Sequence, residues 1–440
     1  MSRAFFLVMV AQFCSSLADN ALLIAAISLL AEIHAPPWMT PMLKLFFFIS
    51  YVLLAAFVGA FADSMPKARV MLITNGIKLV GALLMLAGVH PLLAYAVVGF
   101  GAAAYSPAKY GIVTELLPPD RLVAANGWIE GLTVASIILG FVLGGALVSP
   151  SVSAILLAIN LPYVEPHLDN VGQAAIAVIC GVYALAALIN LWVPDTRVRY
   201  RKQEHTLGRL LLDFGHCVTT LWKDPLGQIS LAVTTLFWGA GATLQFIVLR
   251  WSNDVFGMDL WQGAILQALT VAGVPIGAAL AATRVSLKRS LGVLPVGVAM
   301  GIVVFVLASL DFTLLPRSGP SLWGHTVPWA LVAAGSALVL IGAMAGYFVV
   351  PMNALLQHRG YVLLSAGHSI AVQNFNENLG VLLMLGVYAL LIAANLSTAI
   401  TMQLIGAFVA VAMLLVLLKH LANQRREDSV SQIGDTRHGY

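Results

Sequence analysis

The chain has 440 residues, of which 60% are hydrophobic and only 10% are charged. A mean hydropathy of +0.92 excludes an ordinary soluble domain, because long apolar runs of this kind are typical of membrane spans. The net charge of +4 is too small and too dispersed to indicate nucleic-acid binding. Three cysteines, an odd number without metal-ligand spacing, argue against a disulfide framework. Composition therefore predicts an all-α integral membrane protein.

Hydrophobic runs predict twelve transmembrane helices, each near or somewhat above the ~20 residues that cross a bilayer. The first run starts directly after Arg3 and is too long for a signal peptide, so we expect it to be retained as the first helix. The short apolar segment 151–161 is expected to lie at the membrane interface, in an external loop. The predicted spans are 5–31, 42–62, 70–89, 92–113, 123–148, 171–193, 226–250, 260–282, 290–310, 329–350, 366–393 and 398–420.

The distribution of lysine and arginine predicts the orientation. With both termini in the cytoplasm, eighteen of the 23 basic residues fall on the cytoplasmic side and three fall outside. The remaining two, Lys78 and Lys109, lie inside spans. Because basic residues are enriched in cytoplasmic loops, this bias favours the orientation with both ends inside.

The longest cytoplasmic loop, residues 194–225, divides the chain into two sets of six spans. Apolar residues at helical spacing predict an amphipathic helix on the inner membrane surface; a plain tether is the alternative, and both can hold. The residues with this spacing are Leu207, Leu210, Leu211, Phe214 and Val218. The expected domains are a bundle at 1–193, this linker, a bundle at 226–420, and a cytoplasmic tail at 421–440 that we expect to be disordered.

An internal repeat relates the two sets of spans. Residues 101–131 read GAAAYSPAKYGIVTELLPPDRLVAANGWIEG, and residues 348–380 read FVVPMNALLQHRGYVLLSAGHSIAVQNFNENLG. Pro351 corresponds to Pro107, and the polar cluster 373–378 follows where Glu130 stands in the first copy. Repeats at half-chain spacing are typical of secondary transporters, so we expect two pseudo-symmetric six-helix bundles.

Polar side chains interrupt the predicted spans. Asp19 shares a helix face with Gln12, Ser15 and Ser16. Charged groups inside a membrane are costly and usually functional, which favours a polar cavity. The alternative is a set of ion pairs and hydrogen bonds that only lock the bundle. The predicted substrate-binding residues are Asp19, Asn20, Tyr105, Lys109, Phe237, Trp238, Gln245, Gln373, Asn374 and Glu377.

Both interpretations stay open for individual charged residues. Lys109 is either a ligand of substrate phosphate or the partner of Glu130 or Glu115. Function and structural pairing are equally favoured for Lys78 and Glu130, and His368 is expected to be structural. Nucleophile, metal and phosphate-loop patterns are all missing from the sequence, so we expect no catalytic residues, no metal and no cofactor.

The loop between the second and third spans carries Gly59, Asp63, Lys67 and Arg69. Glycine permits close helix packing, and Asp63 can cap a helix start and pair with a base. This arrangement resembles the signature of the major facilitator superfamily, although Pro66 stands where a glycine is usual. We expect these four residues to act in gating rather than in substrate contact. Glycines of the fifth span also resemble part of an antiporter motif of that superfamily, with plain glycine packing the favoured interpretation.

Several phrases resemble the bacterial lysophospholipid transporters (the LplT family) of the major facilitator superfamily. They are AQF at 11–13, DNALL at 19–23, AAAYSPAKYG at 102–111, FWGAG at 237–241, PMNALLQ at 351–357 and AVQN at 371–374. The resemblance covers nearly the whole chain. It implies inward flipping of lysophosphatidylethanolamine and related lysolipids across the bacterial inner membrane. It also implies functional coupling to a cytoplasmic acyltransferase/acyl-ACP synthetase that reacylates them.

One position departs from that family. The resemblance implies an arginine opposite Asp19 at the place where this chain has Gln245, and the nearest base is Arg250. Asp19 is therefore expected to pair elsewhere or to hydrogen-bond Gln245. Two other functions remain as alternatives: a proton-coupled exporter of amphipathic drugs, and a non-transporting scaffold for a lipid acyltransferase.

Overall fold

The structure is a computed structural model that describes residues 3–35, 39–157, 170–198, 206–258, 260–316, 318–322, 325–426 and 433. Its regular secondary structure within these ranges is helical, apart from the two-residue antiparallel strands β1 (Ser321–Leu322) and β2 (His325–Thr326). The helices are α1 (Arg3–Glu32), α2 (Met39–Leu53), α3 (Ala55–Asp63), α4 (Lys67–Leu86), α5 (Pro91–Leu116), α6 (Leu122–Leu147), α7 (Pro150–Leu157), α8 (Val171–Asn190), α9 (Leu207–Lys223), α10 (Gly227–Phe256), α11 (Leu260–Arg284), α12 (Leu294–Ser309), α13 (Trp329–Leu363), α14 (Ala366–Ala393) and α15 (Thr398–Arg426).

Eleven described helices are long and apolar enough to cross a membrane. Helices α2 and α3 meet at a 65° bend and form a twelfth span if they are counted together. Helices suit this environment because every backbone polar group is satisfied within the segment. Local signals agree with the helix ends: Asn170 accepts a hydrogen bond from the Gln173 amide at 2.9 Å before α8, and Gly257 has a φ of 65° directly after α10. The predicted all-α membrane class is confirmed.

The short elements outside the spans lie close to their expected places. Helix α7 occupies the start of the segment predicted to be interfacial, and α9 occupies the predicted linker. Helix α15 continues to Arg426, so residues 421–426 of the predicted tail are helical. The rest of that tail, residue 433 apart, and residues 158–161 and 199–205 lie outside the described ranges.

The chain forms two compact units. Unit 1 comprises residues 1–118, 135–219 and 360–375. A core of the unit lies where α1, α2, α4, α5 and α8 pack together, with small residues such as Ala18 and Ala25 beside large ones such as Met85 and Tyr183. Small residues let transmembrane helices approach closely, which supplies the packing energy that hydrophobicity cannot supply in lipid.

Unit 2 comprises residues 119–134, 220–359 and 376–440. Helix α15 packs along α12 and α10, and α10 also contacts α11. The unit boundaries fall inside α6, α9, α13 and α14, so each unit includes a segment from the other predicted bundle. The division into bundles at 1–193 and 226–420 stays a prediction.

Candidate functional site

A buried charged cluster in unit 1 surrounds Asp19 of α1. Its carboxylate Oδ2 lies 2.7 Å from Lys78 Nζ of α4, and Oδ1 accepts a hydrogen bond from the Tyr183 hydroxyl of α8 at 2.7 Å. Lys78 also donates to Ser15 Oγ at 2.9 Å, and Ser15 donates to Asn75 Oδ1 at 2.6 Å. We call these five residues the Asp19 cluster. Its opposite charges offset each other, which lowers the cost of placing them inside a membrane.

The two charged members differ in access. The Asp19 side chain is 17% exposed, whereas that of Lys78 is 2% exposed. Tyr105 of α5 presents its ring to Lys78, with Nζ 4.9 Å from the ring centroid. Among the described residues, neither the Tyr105 hydroxyl nor Asn75 Nδ2 has a hydrogen-bond partner, although both are buried. Because buried polar groups normally have partners, the Tyr105 hydroxyl can donate to or accept from a bound molecule, and Asn75 Nδ2 can donate to one.

A second cluster in unit 1 surrounds Asp63, at the end of α3. Its carboxylate binds Lys67 and the Ser365 hydroxyl, accepts the Gly367 amide at 3.0 Å, and lies 2.9 Å from His368 Nδ1. These five residues form the Asp63 cluster. Asp63 therefore satisfies the first turn of α14, where a negative charge is favoured by the helix dipole.

Close backbone approach makes the Asp63 cluster possible. A Cβ atom at Gly59 would lie 3.0 Å from His368 Cα, and one at Gly367 would lie 2.6 Å from Asp63 Oδ1. Lys67 is 1% exposed and has a second acid, Glu115, at 3.9 Å. Arg69 is exposed, so it does not share this burial.

Unit 2 contains a matching polar contact between α6 and α13. Asn126 and Gln357 exchange two amide hydrogen bonds, of 2.9 and 3.0 Å. One turn further along α6 and one turn earlier in α13, Asn353 Nδ2 donates to Glu130 Oε1 at 3.3 Å. All four side chains are buried, and their i, i+4 spacing places each pair on one helix face. We call these residues the amide zipper.

A model of the Major Facilitator Superfamily matches residues 8–384 of the chain. The chain belongs to the major facilitator superfamily. Within it, three relatives named lysophospholipid transporter LplT place the chain in the LplT family. The Yersinia enterocolitica protein is 39% identical over 89% of this chain and 88% of the relative. The Klebsiella pneumoniae protein is 38% identical over 93% and 94%, and an Escherichia coli protein is 40% identical over 88% and 89%. The predicted family is confirmed.

Solved structures share the fold at low sequence identity. A bacterial homologue of the iron transporter ferroportin, in an outward-facing state, matches with a TM-score of 0.68 at 13% identity over 97% of this chain and all of that one. The superfamily transporter FucP, in the outward conformation, matches with a TM-score of 0.67 at 14% identity over 95% and 98%. The major facilitator fold is therefore confirmed. Since the family consists of transporters, the protein is a multi-pass membrane transporter and not an enzyme.

Six of the predicted substrate-binding residues of this superfamily member lie in unit 1. Asp19 and Tyr105 lie at the Asp19 cluster. Asn20 bonds the Ser16 carbonyl at 2.8 Å, and Asn374 donates to Ser106 Oγ at 2.9 Å. Lys109 is half-buried with Nζ 4.1 Å from the ring centroid of Tyr110. Gln373 is buried in α14.

The other four predicted residues of the transporter lie in unit 2. Phe237 contacts Trp238 and Phe348 edge to face, at centroid distances of 5.3 and 6.0 Å. Gln245 is exposed and Glu377 is buried. These four roles stay predictions, as do those of the six in unit 1.

Sequence reasoning missed several partners. Two tyrosines contact Asp19: the Tyr183 hydroxyl donates to its carboxylate, and the Tyr95 hydroxyl donates to its backbone carbonyl at 3.3 Å. Neither gave a polar signal in the sequence, because tyrosine is common in apolar spans. Lys78 and Asn75 lie one helical turn apart in the sequence, but no sequence pattern links them to Asp19. Arg359, which lies between the tenth and eleventh predicted spans, forms a buried pair with Asp224 at 2.5 Å that the sequence did not indicate. Within the described ranges, no group of three or more His, Cys, Asp or Glu residues could hold a metal.

Proposed function

We propose that this transporter moves lysophospholipids, with lysophosphatidylethanolamine as a principal substrate, from the outer to the inner leaflet of the bacterial inner membrane by alternating access. The proposed orientation has both termini in the cytoplasm. The lysolipids then become substrates for a cytoplasmic acyltransferase/acyl-ACP synthetase. The names of the LplT relatives support the substrate class.

The Asp19 cluster is the observation that carries the proposal. A lysophosphatidylethanolamine head group contains one phosphate and one ammonium, and neither crosses hydrocarbon unless it is paired. Asp19 and Lys78 already hold the two complementary charges 2.7 Å apart. In the proposed complex, the lipid ammonium replaces Lys78 at the more exposed Asp19 carboxylate. The phosphate then binds Lys109, which acts as its point-charge partner.

Neutral groups complete the proposed head-group site in unit 1. The Tyr105 hydroxyl, for which the described residues offer no partner, bonds a glycerol or phosphate oxygen. Asn20, Gln373 and Asn374 provide further amide groups for the glycerol. The acyl chain needs no polar partner, because the surrounding bilayer is already apolar.

The Asp63 cluster and the amide zipper are the proposed cytoplasmic gate. Each joins a segment of one predicted bundle to a segment of the other: α3 to α14 in unit 1, and α6 to α13 in unit 2. Breaking these contacts costs hydrogen bonds in a buried setting, so they hold one state until substrate binding offsets that cost. The Asn126–Gln357 contact of the zipper joins two neutral amides, which are easier to separate in lipid than an ion pair of the same length.

Reconstitution into liposomes tests the function. Uptake of labelled lysophosphatidylethanolamine is measured against a panel of amphipathic cations, with and without a proton gradient. We expect saturable lysolipid transport that is lost in Asp19→Asn and reduced in Tyr105→Phe, which removes only the hydroxyl. Tyr110→Phe is the matched control. Drug transport driven by protons, without lysolipid transport, would establish the exporter instead; transport of neither would favour the scaffold.

A further inference from the structure

A cavity of about 340 Å³ lies at the last turns of α15 in unit 2. The end of α9 and the first turn of α10 complete its wall. Asn423 Nδ2 donates to the Pro225 carbonyl at 3.3 Å and so ties α15 to the turn before α10. We call it the basic cavity; its polar and aromatic lining comprises Trp222, Lys223, Gln228, Lys419, Asn423 and Arg426.

The basic cavity carries three positive charges, from Lys223, Lys419 and Arg426, and no carboxylate among the described residues that line it. The neighbouring acid, Asp224, is committed elsewhere. It accepts two hydrogen bonds from Arg359, at 2.5 and 3.2 Å, and the Gly227 amide at 2.7 Å. Three like charges around one space attract an anion into it.

Trp222 gives the basic cavity an amphipathic edge. Its indole N–H donates to Asn376 Oδ1 at 3.2 Å, which fixes the ring, and the residue is 41% exposed. Tryptophan rings held in this way are enriched at the level of lipid head groups. The edge therefore favours a lipid phosphate over a fully hydrated ion.

An apolar groove of about 340 Å³ runs along α15 towards the basic cavity. Its members follow one another at three- and four-residue steps, and Lys419 and Arg426 continue the same helix face. At 1.5 Å per residue the groove is about 16 Å long and ends about 6 Å before Lys419. Its exposed side chains face lipid along a membrane span. We call it the α15 groove; it is lined by Leu404, Ala407, Phe408, Val411, Ala412 and Leu415.

We infer that α15 carries a binding site for one anionic phospholipid of the bilayer, with its phosphate in the basic cavity and an acyl chain in the α15 groove. The site is separate from the Asp19 cluster and takes a membrane lipid rather than the transported lysolipid. A free phosphate shares the charge but gains nothing from the groove. The bound lipid bridges Lys223 to Lys419 and Arg426, so it stabilises unit 2.

Titration of the purified full-length protein in detergent tests the site. Phosphatidylglycerol, phosphatidylcholine and inorganic phosphate are added at constant ionic strength, and thermal unfolding is followed. We expect a saturable rise in unfolding temperature with phosphatidylglycerol alone. The triple variant Lys223→Gln/Lys419→Gln/Arg426→Gln should weaken phosphatidylglycerol binding on the order of a hundredfold, because each base near an anionic lipid contributes roughly a factor of five.

Two controls separate this site from general electrostatics. Arg284→Gln/Lys288→Gln/Arg289→Gln removes three exposed bases from the same unit and should leave binding unchanged. Ala407→Phe fills the groove but keeps every charge, and should weaken phosphatidylglycerol binding. Native mass spectrometry counts retained lipid independently of each variant's stability. Equal losses in the two triple variants, equal effects of phosphate and phosphatidylglycerol, or unchanged binding in Ala407→Phe would each overturn the proposal.

Discussion

Removing the positive charge of the Asp19 cluster separates its structural role from its proposed transport role. In Lys78→Met, the Asp19 carboxylate keeps the Tyr183 hydroxyl but loses its counter-charge at 2.7 Å. Loss of one partner of a buried pair costs about 3–5 kcal/mol. Because Asp19 keeps 17% of its side-chain exposure, we expect the lower end, about 3 kcal/mol.

The double variant Lys78→Met/Asp19→Asn removes both charges and leaves an amide that still bonds Tyr183. Its remaining cost is the lost hydrogen bonds, about 1 kcal/mol, so it should be more stable than Lys78→Met alone. Equilibrium unfolding by SDS in mixed micelles measures both. Lys288→Met, the same substitution at an exposed position, should change stability by less than about 0.5 kcal/mol.

Transport distinguishes the two roles of the pair. The double variant should fail to transport lysophosphatidylethanolamine, because it regains stability without regaining the carboxylate. A double variant that transports at the wild-type rate would show that the pair only locks the bundle. A Lys78→Met protein as stable as the wild type would contradict the burial reasoning itself.

Three further predictions concern single sites. Lys109→Gln should fold but lose lysolipid flipping while Lys109→Arg keeps part of it; a normally transporting Lys109→Gln would exclude the phosphate role. Asp63→Ala should lower turnover about tenfold, equivalent to about 1.4 kcal/mol in the activation free energy, and should change lysolipid affinity little. Paired flux and binding assays measure both; unchanged turnover with lost binding would contradict a gate. In a protein without Cys14 and Cys180, Cys217 should react with impermeant maleimide only from the cytoplasmic side, and slowly. Burial, with the charges of Asp213 and Asp63, raises the pKa of its thiol from 9.0 to about 11, so its thiolate fraction at neutral pH is about a hundredfold below that of an exposed Thr219→Cys control. Its labelling rate should still climb tenfold per pH unit at pH 9 to 10, where the control levels off; equal rates for the two thiols would contradict the burial.

The class and the spans of this protein were readable from the chain because hydropathy is a local property. A run of about 20 apolar residues must become a helix in lipid, whatever surrounds it, since no water satisfies its backbone. The same logic located α9, whose apolar residues recur at helical spacing. Motif residues such as Gly59 and Asp63 were also visible, because their types and spacing mark a tight loop between spans.

Tertiary structure alone decided which polar residues meet. Asp19 and Lys78 are 59 residues apart, and Asp63 and His368 are 305 apart. No periodicity links positions that distant, and one buried carboxylate pairs as well with any base the packing brings near. The arginine expected opposite Asp19 is absent, and only the packing of α8 against both α4 and α1 shows that Lys78 and Tyr183 take up the charge. Partner choice is a property of packed helices, because a charge in low dielectric interacts with what lies within a few ångströms of it.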